Sequence, residues 1–197
     1  LVMPCASCAS GPWQEVPFPP QPIVLKGFSF MPPDEPGWHV NTRPSPDRSS
    51  LAKRNHDKDP YENYVIEAYV LNVPEYIKSN DEFLRGVKDG RAINSDPRYK
   101  ILTQDINPHM KNGKYCVLSQ VVAEDHGGGQ IPNFGFGIHR RPGYMIFEGV
   151  TLSCRHPQNN NAGLDLTFSL RYYPGERDPL FSEKAMKVVG SVEFRNP

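Results

Sequence analysis

The sequence contains no long apolar run: none approaches the roughly 20 consecutive apolar residues that a membrane-spanning helix needs. It carries no excess of charge, with 22 basic residues against 22 acidic ones. A nucleic-acid-binding domain is expected to show a basic surplus, so no nucleic-acid partner is expected here. Catalytic signatures are scarce in the same way. There is no Gly-x-Ser-x-Gly nucleophile elbow. Gly127-Gly-Gly129 lacks the Gly-Lys-Ser/Thr ending, and the helix, that turn a glycine-rich loop into a phosphate cradle. Cys5-Ala-Ser-Cys8 has no His after it for haem attachment and no second Cys-x-x-Cys to complete a zinc site.

Proline, by contrast, is abundant: 21 of 197 residues. The prolines gather in the first third and at the ends of patterned runs, which implies an extended leader and many turns. Residues 1–22 read as that leader. Ala6-Ser7 directly before Cys8 matches the end of a bacterial lipoprotein signal, where small residues admit the peptidase and the thiol takes the lipid. This makes Cys8 the expected lipidation site, with the charged part of the signal lying before Leu1. Gly11–Pro22 then reads as a semi-rigid tether whose Trp13 and Phe18 dock on the domain or on a partner. The folded domain is expected over 23–197.

Within it, Leu164, Leu166, Phe168, Leu170 and Tyr172 alternate with Asp165, Thr167, Ser169 and Arg171. Period-two alternation marks a strand with one buried face and one wet face. Tyr115–Ala123 and Tyr144–Cys154 are apolar runs of strand length, and Lys111-Asn-Gly-Lys114 supplies the Asn-Gly turn of a hairpin. Further strands are read at Gly27–Met31, Trp38–Thr42, Ser49–Asn55, Tyr61–Val73 and Tyr99–Pro108. Cys116 and Cys154 fall in central strands and are expected to form a cross-strand disulfide, which fits an oxidising compartment. The alternative is two separate buried thiols acting as small hydrophobes; their distance decides.

Two helices are read. Ser79-Asn-Asp-Glu82 is a capping box that opens a helix over about 80–89, with Phe83, Leu84 and Val87 at helical spacing and Gly90 as its stop. Asp178-Pro179 is an N-cap followed by proline at the first helical position, with Phe181, Ala185, Val188, Val189 and Val192 as the apolar stripe. The resulting fold class is α+β: an antiparallel sheet flanked by two or three helices, as an α/β/α sandwich.

Several short motifs resemble those of a group of uncharacterised bacterial lipoproteins: Gly27-Phe-Ser-Phe-Met-Pro-Pro, Pro36-Gly-Trp38, Val65-Ile-Glu-Ala68, Asp81-Glu-Phe-Leu84 and Arg171-Tyr-Tyr-Pro-Gly175. The element order and the Phe-x-Phe…Gly-Trp opening are similar to the fold of the photosystem II extrinsic protein P (PsbP-like) and of the Ran-binding import factors. These resemblances imply a non-catalytic accessory or binding module, with no catalytic residues to carry over.

The glycine-rich stretch 125–142 interrupts the strand pattern, and long unpatterned loops inside compact domains tend to be functional. Phe134, Phe136 and Ile138 are costly to expose, and aromatics beside Arg140 and Arg141 have the composition of an interface. The expectation is a partner-binding loop; the alternative is that the rings fold back onto the sheet. His126 and His139, with Glu124 and Asp125 beside the first, are the candidate metal ligands of a second reading, a metal-dependent or hydrolytic periplasmic enzyme. Neither helical nor hairpin ligand spacing supports that set. The functional expectation is therefore an accessory subunit of a membrane-associated assembly. It sits on the periplasmic side of a bacterial cell envelope, lipid-anchored, with a protein partner and no cofactor.

Overall fold

The computed structural model describes residues 12–43, 45–54, 63–92, 96–127 and 143–196. Eleven strands and two helices occur among them: β1 (Trp13–Glu15), β2 (Ile23–Leu25), β3 (Phe28–Phe30), β4 (His39–Asn41), β5 (Arg48–Arg54), β6 (Asn63–Asn72), α1 (Asn80–Ala92), β7 (Tyr99–Lys111), β8 (Lys114–Asp125), β9 (Met145–Arg155), β10 (Ala162–Tyr172), α2 (Phe181–Gly190) and β11 (Glu193–Phe194). Eight strands form one sheet in the order β1-β4-β5-β6-β10-β9-β8-β7, and β11-β3-β2 form a small second sheet. All pairings are antiparallel.

The alternation of β10 decides the layering. Leu164, Leu166, Phe168 and Leu170 are buried against Phe181, Ala185, Val188 and Val189 of α2, in one core with Phe28 and Phe30 of the small sheet and with Trp38. Burying each such side chain contributes roughly 1.5–3 kcal/mol. On the opposite face α1 covers only one end, where Phe83 packs with Val73 and Val117 and is flanked by Leu84, Val87 and Ile106. With one helix on each face and one of them covering so little, the molecule is sheet-dominated. It is not the α/β/α sandwich anticipated from the element count.

Cys116 and Cys154 are direct neighbours on β8 and β9 and form the expected disulfide, with a Cα–Cα distance of 4.3 Å. The capping box is present: the Glu82 N–H donates to Ser79 Oγ at 3.1 Å and the Ser79 N–H donates to Glu82 at 2.9 Å. Gly90 does not end α1, however. Its φ is not positive, and the helix continues to Ala92 because Arg91 reaches Ser153 at 3.2 Å and Asp165 at 3.4 Å on the sheet below. The second helix begins at Phe181, later than expected, because Asp178 is occupied. One of its carboxylate oxygens accepts from the Leu180 N–H, and the other accepts from Tyr64 and Lys184.

The proline-rich segment departs most from its reading as a tether. Trp13–Glu15 is a sheet strand paired with β4, and Val16 is buried in the core. Pro19 and Pro20 line an apolar groove of about 470 Å³ opposite Met31, Leu180 and Val188. Phe18, 60 % exposed, projects into solvent. Residues 1–11, including Cys8, lie outside the described residues.

Candidate functional site

The described residues closest to the glycine-rich insertion form its stem. β8 and β9 are adjacent, and Asp125 at the end of one faces Met145 at the start of the other. A turn of 2–5 residues would join strands so placed. The chain instead leaves the sheet at 126 and returns at 144.

Asp125 holds this exit. Its side chain is 0 % exposed. Arg98 donates to it through Nε at 2.6 Å and Nη2 at 2.8 Å, and the Gly127 N–H donates at 3.0 Å. Arg171 of β10 adds an ion pair at 2.8 Å from the same face of the sheet, across β9. Burial alone would raise the Asp125 pKa. The Arg98 hydrogen bonds, the Arg171 and Arg98 charges and the Gly127 N–H outweigh it, and the carboxyl sits below its ordinary value. Arg98 lies over the Tyr99 ring at 5.1 Å, and Tyr99 meets Phe147 edge-on at 5.7 Å, so guanidinium and rings form one block.

The next residue closes the stem. His126 lies 3.0 Å from Glu124, whose carboxylate also pairs with Lys100 at 3.3 Å. The His126 ring packs on Tyr144 with centroids 5.4 Å apart, so the two ends of the insertion touch.

The candidate metal set is not assembled by these residues. Strand alternation sends Glu124 and Asp125 to opposite faces of the sheet. Asp125 is committed to two arginines and His126 to Glu124 and Tyr144. Among the described residues no group of three His, Cys, Asp or Glu side chains is arranged to hold a metal ion. His139, Phe134, Phe136, Ile138, Arg140 and Arg141 lie outside the described residues.

Sequence reasoning missed the hub. Arg98, Asp125 and Arg171 are widely separated in sequence, and only the strand register, Tyr99 against Asp125 and Arg171 against Phe147, brings them together. It also missed a polar row across the sheet face that α1 leaves uncovered: Ser50, Glu67, Thr167, Thr151 and Ser119 stand side by side on five strands. Thr151 and Thr167 share a hydrogen bond of 2.9 Å. Glu67, only 6 % exposed, pairs with Arg48 at 3.7 Å, and burial raises its pKa. Burial, and then the Glu67 charge, push Tyr69 up to about 12, so its hydroxyl keeps its proton. Thr151 with Thr167, and Glu67 with Arg48 and Tyr69, hold one another in place as structural polar networks do, while the buried Ser119 hydroxyl has no hydrogen-bond partner among the described residues.

No protein-family model matches the sequence, and no curated protein matches it. Among solved structures, a mutant form of the protein Mog1 is similar, with a TM-score of 0.50 and 12 % identity over 89 % of this chain and 96 % of that one. The Saccharomyces cerevisiae Ran-binding protein Mog1p gives 0.47 at 10 % identity, over 94 % of this chain and 97 % of that one. Cyanobacterial PsbP (CyanoP) from Synechocystis sp. PCC 6803 gives 0.45 at 12 % identity, over 98 % and 99 %. The class defined here is a sheet-dominated, Mog1-like fold, as the wider resemblance in the sequence implied. The resemblance to a lipoprotein family finds no match, and at such identities the likeness concerns the fold alone.

Proposed function

We propose that the protein is a non-catalytic binding subunit whose partner docks on the insertion over 125–142. The observation that carries this reading is the stem: two strands that a short turn could join are instead linked by a long segment whose ends are clamped by Asp125, Arg98 and Arg171 and by His126 on Tyr144. A rigid scaffold under a long loop is how folds present binding residues. Burial of Phe134, Phe136 and Ile138 by the partner would each contribute roughly 1.5–3 kcal/mol. The Cys116–Cys154 disulfide supports an oxidising compartment. Within that reading, Cys8 carries a lipid and the subunit belongs to a membrane-associated assembly of a bacterial cell envelope.

The stem sets the boundaries of the test. Residues 128–142 are replaced by Asn-Gly, leaving Asp125, His126, Gly127 and Tyr144 in place. The expected result is an unchanged melting transition and loss of whatever co-purifies from native membranes. An association that survives the replacement defeats the proposal. Intact-mass analysis of the native protein checks the anchor: the chain should start at Cys8 and carry acyl mass.

A further inference from the structure

β7 is the outer strand of the large sheet, and most of it is exposed. The direction of its backbone groups follows from the hairpin. Asn112 and Gly113, at φ 50° and 70°, make a two-residue turn of the type that leaves the flanking pair, Lys111 and Lys114, mutually hydrogen-bonded. Pairs then alternate, so Cys116 is hydrogen-bonded to His109 and must be in a narrow, non-bonded pair with Cys154 on its other side. The 4.3 Å Cα separation of the two cysteines is that of a narrow pair. The same alternation turns the N–H and C=O groups of Gln104, Ile106 and Met110 outward, away from β8. Pro108 falls on the outward series too, where its missing N–H takes nothing from the ladder.

The usable edge is therefore bounded. A register shift between Ile101 and Thr103 breaks it at one end, and Pro108 removes a donor at the other. Between them Thr103–Asn107 presents an unbroken stretch of strand that no other strand pairs with on its outer side among the described residues. Its two sides differ. Ile106 faces the α1 side, where it packs against the cluster of Val73, Phe83 and Val117, and Met110 lies beyond it on that side, 63 % exposed. Asp105 faces the other side, exposed and with no ion pair among the described residues.

We infer that the Thr103–Asn107 edge of β7 takes an extended segment of a protein partner by strand addition, with apolar residues on the α1 side and a basic residue opposite Asp105. Main-chain groups of Gln104 and Ile106 supply the hydrogen bonds, and the alternating side chains supply the selectivity. Charge favours a foreign strand over a second copy: two copies paired about Asp105 would set like carboxylates directly opposite each other. The inference rests on the protein being a binding module. It concerns a surface separate from the insertion stem, so its failure leaves the insertion test untouched.

The probe is an acetylated, amidated peptide Thr-Val-Lys-Val-Thr at millimolar concentration, added to the full-length protein while amide exchange is followed residue by residue. In the free protein, Gln104 and Ile106 amides should exchange quickly and those of Asp105 and Asn107, bonded to β8, slowly. The peptide should slow Gln104 and Ile106 severalfold. The same peptide with an N-methylated backbone should not, and Ile106→Pro, which removes an outward N–H the fold does not use, should abolish the effect. Asp105→Lys should reverse the preference toward Thr-Val-Glu-Val-Thr by about fivefold, the scale of an exposed ion pair. Protection that is absent, or equal for the N-methylated peptide, overturns the inference. So does slow exchange already present without peptide: if it rises with protein concentration, the occupant is a second copy, and if it does not, the edge is covered by the chain itself.

Discussion

A single enclosed carboxylate controls the exit of the insertion. Asp125 is fully buried between Arg98 and Arg171, and removing one partner from a buried ion pair costs about 3–5 kcal/mol, because the remaining charges are stranded. Asp125→Asn should lower the unfolding free energy by about 3 kcal/mol in urea titrations at neutral pH. The pH dependence has a definite sign. Folding lowers the pKa of this group, so its contribution is complete above the unfolded value of about 3.9 and is lost as pH falls from there through the lowered folded value. The gap between wild type and Asp125→Asn should therefore be constant near neutrality and narrow below about pH 4. A gap that stays constant through that range would mean that Asp125 acts through shape alone. None of this was readable from the chain. In the sequence Asp125 stands out only as a carboxylate beside the candidate metal ligand His126, because its two arginines arrive from distant parts of the chain.

At the level of elements, the Cys116–Cys154 bond closes a loop of 38 residues across the two strands. On the chain-entropy account, a loop of this length stabilises by about 3–4 kcal/mol. Reduced protein, or Cys116→Ala with Cys154→Ala, should melt clearly lower than the oxidised form in matched scans, and equal melting temperatures would rule out that contribution. The pairing was legible because both cysteines lie in long apolar runs of strand length, and the hairpin was legible from Asn112-Gly113. The capping box was legible because its two hydrogen bonds need only residues three apart. Elements that depend on a distant partner were not. Trp13–Glu15 is a strand only because β4 stands beside it, and Glu193–Phe194 only because β3 does. β3 and β4 are as short as β1, yet each sits inside a longer readable run, Gly27–Met31 and Trp38–Thr42, that β1 and β11 lack. α1 outran its glycine for the same reason: Arg91 has a binding place on the sheet that local propensity cannot register.

For the molecule as a whole, the large sheet ends at β1 and at β7, and among the described residues no further strand pairs with either. Pro108 interrupts the longer edge where an outward donor would otherwise stand. Pro108→Thr should restore that donor and lengthen the open ladder from Gln104 through Met110, with exposed Met110 beside it. The expected outcome is a sedimentation coefficient that rises with protein concentration, while the parent's does not. A variant that sediments like the parent at every concentration would show that the proline is incidental. The shorter edge has a different importance. Any pull on the N-terminal side of the chain enters the fold through Trp13–Glu15, a strand of three residues that pairs with β4 and runs into the buried Val16, whose N–H donates to the Trp38 carbonyl. The ladders at this end are the short ones, three pairs between β1 and β4 and two between β4 and β5, and in a pulling experiment this end should part first, as a small early extension before the main rupture. A protein tethered by residues ahead of Pro12 would thus carry a mechanical fuse: under load it would release its proline-rich segment and this short-laddered end of the sheet while the disulfide-stapled centre stayed folded.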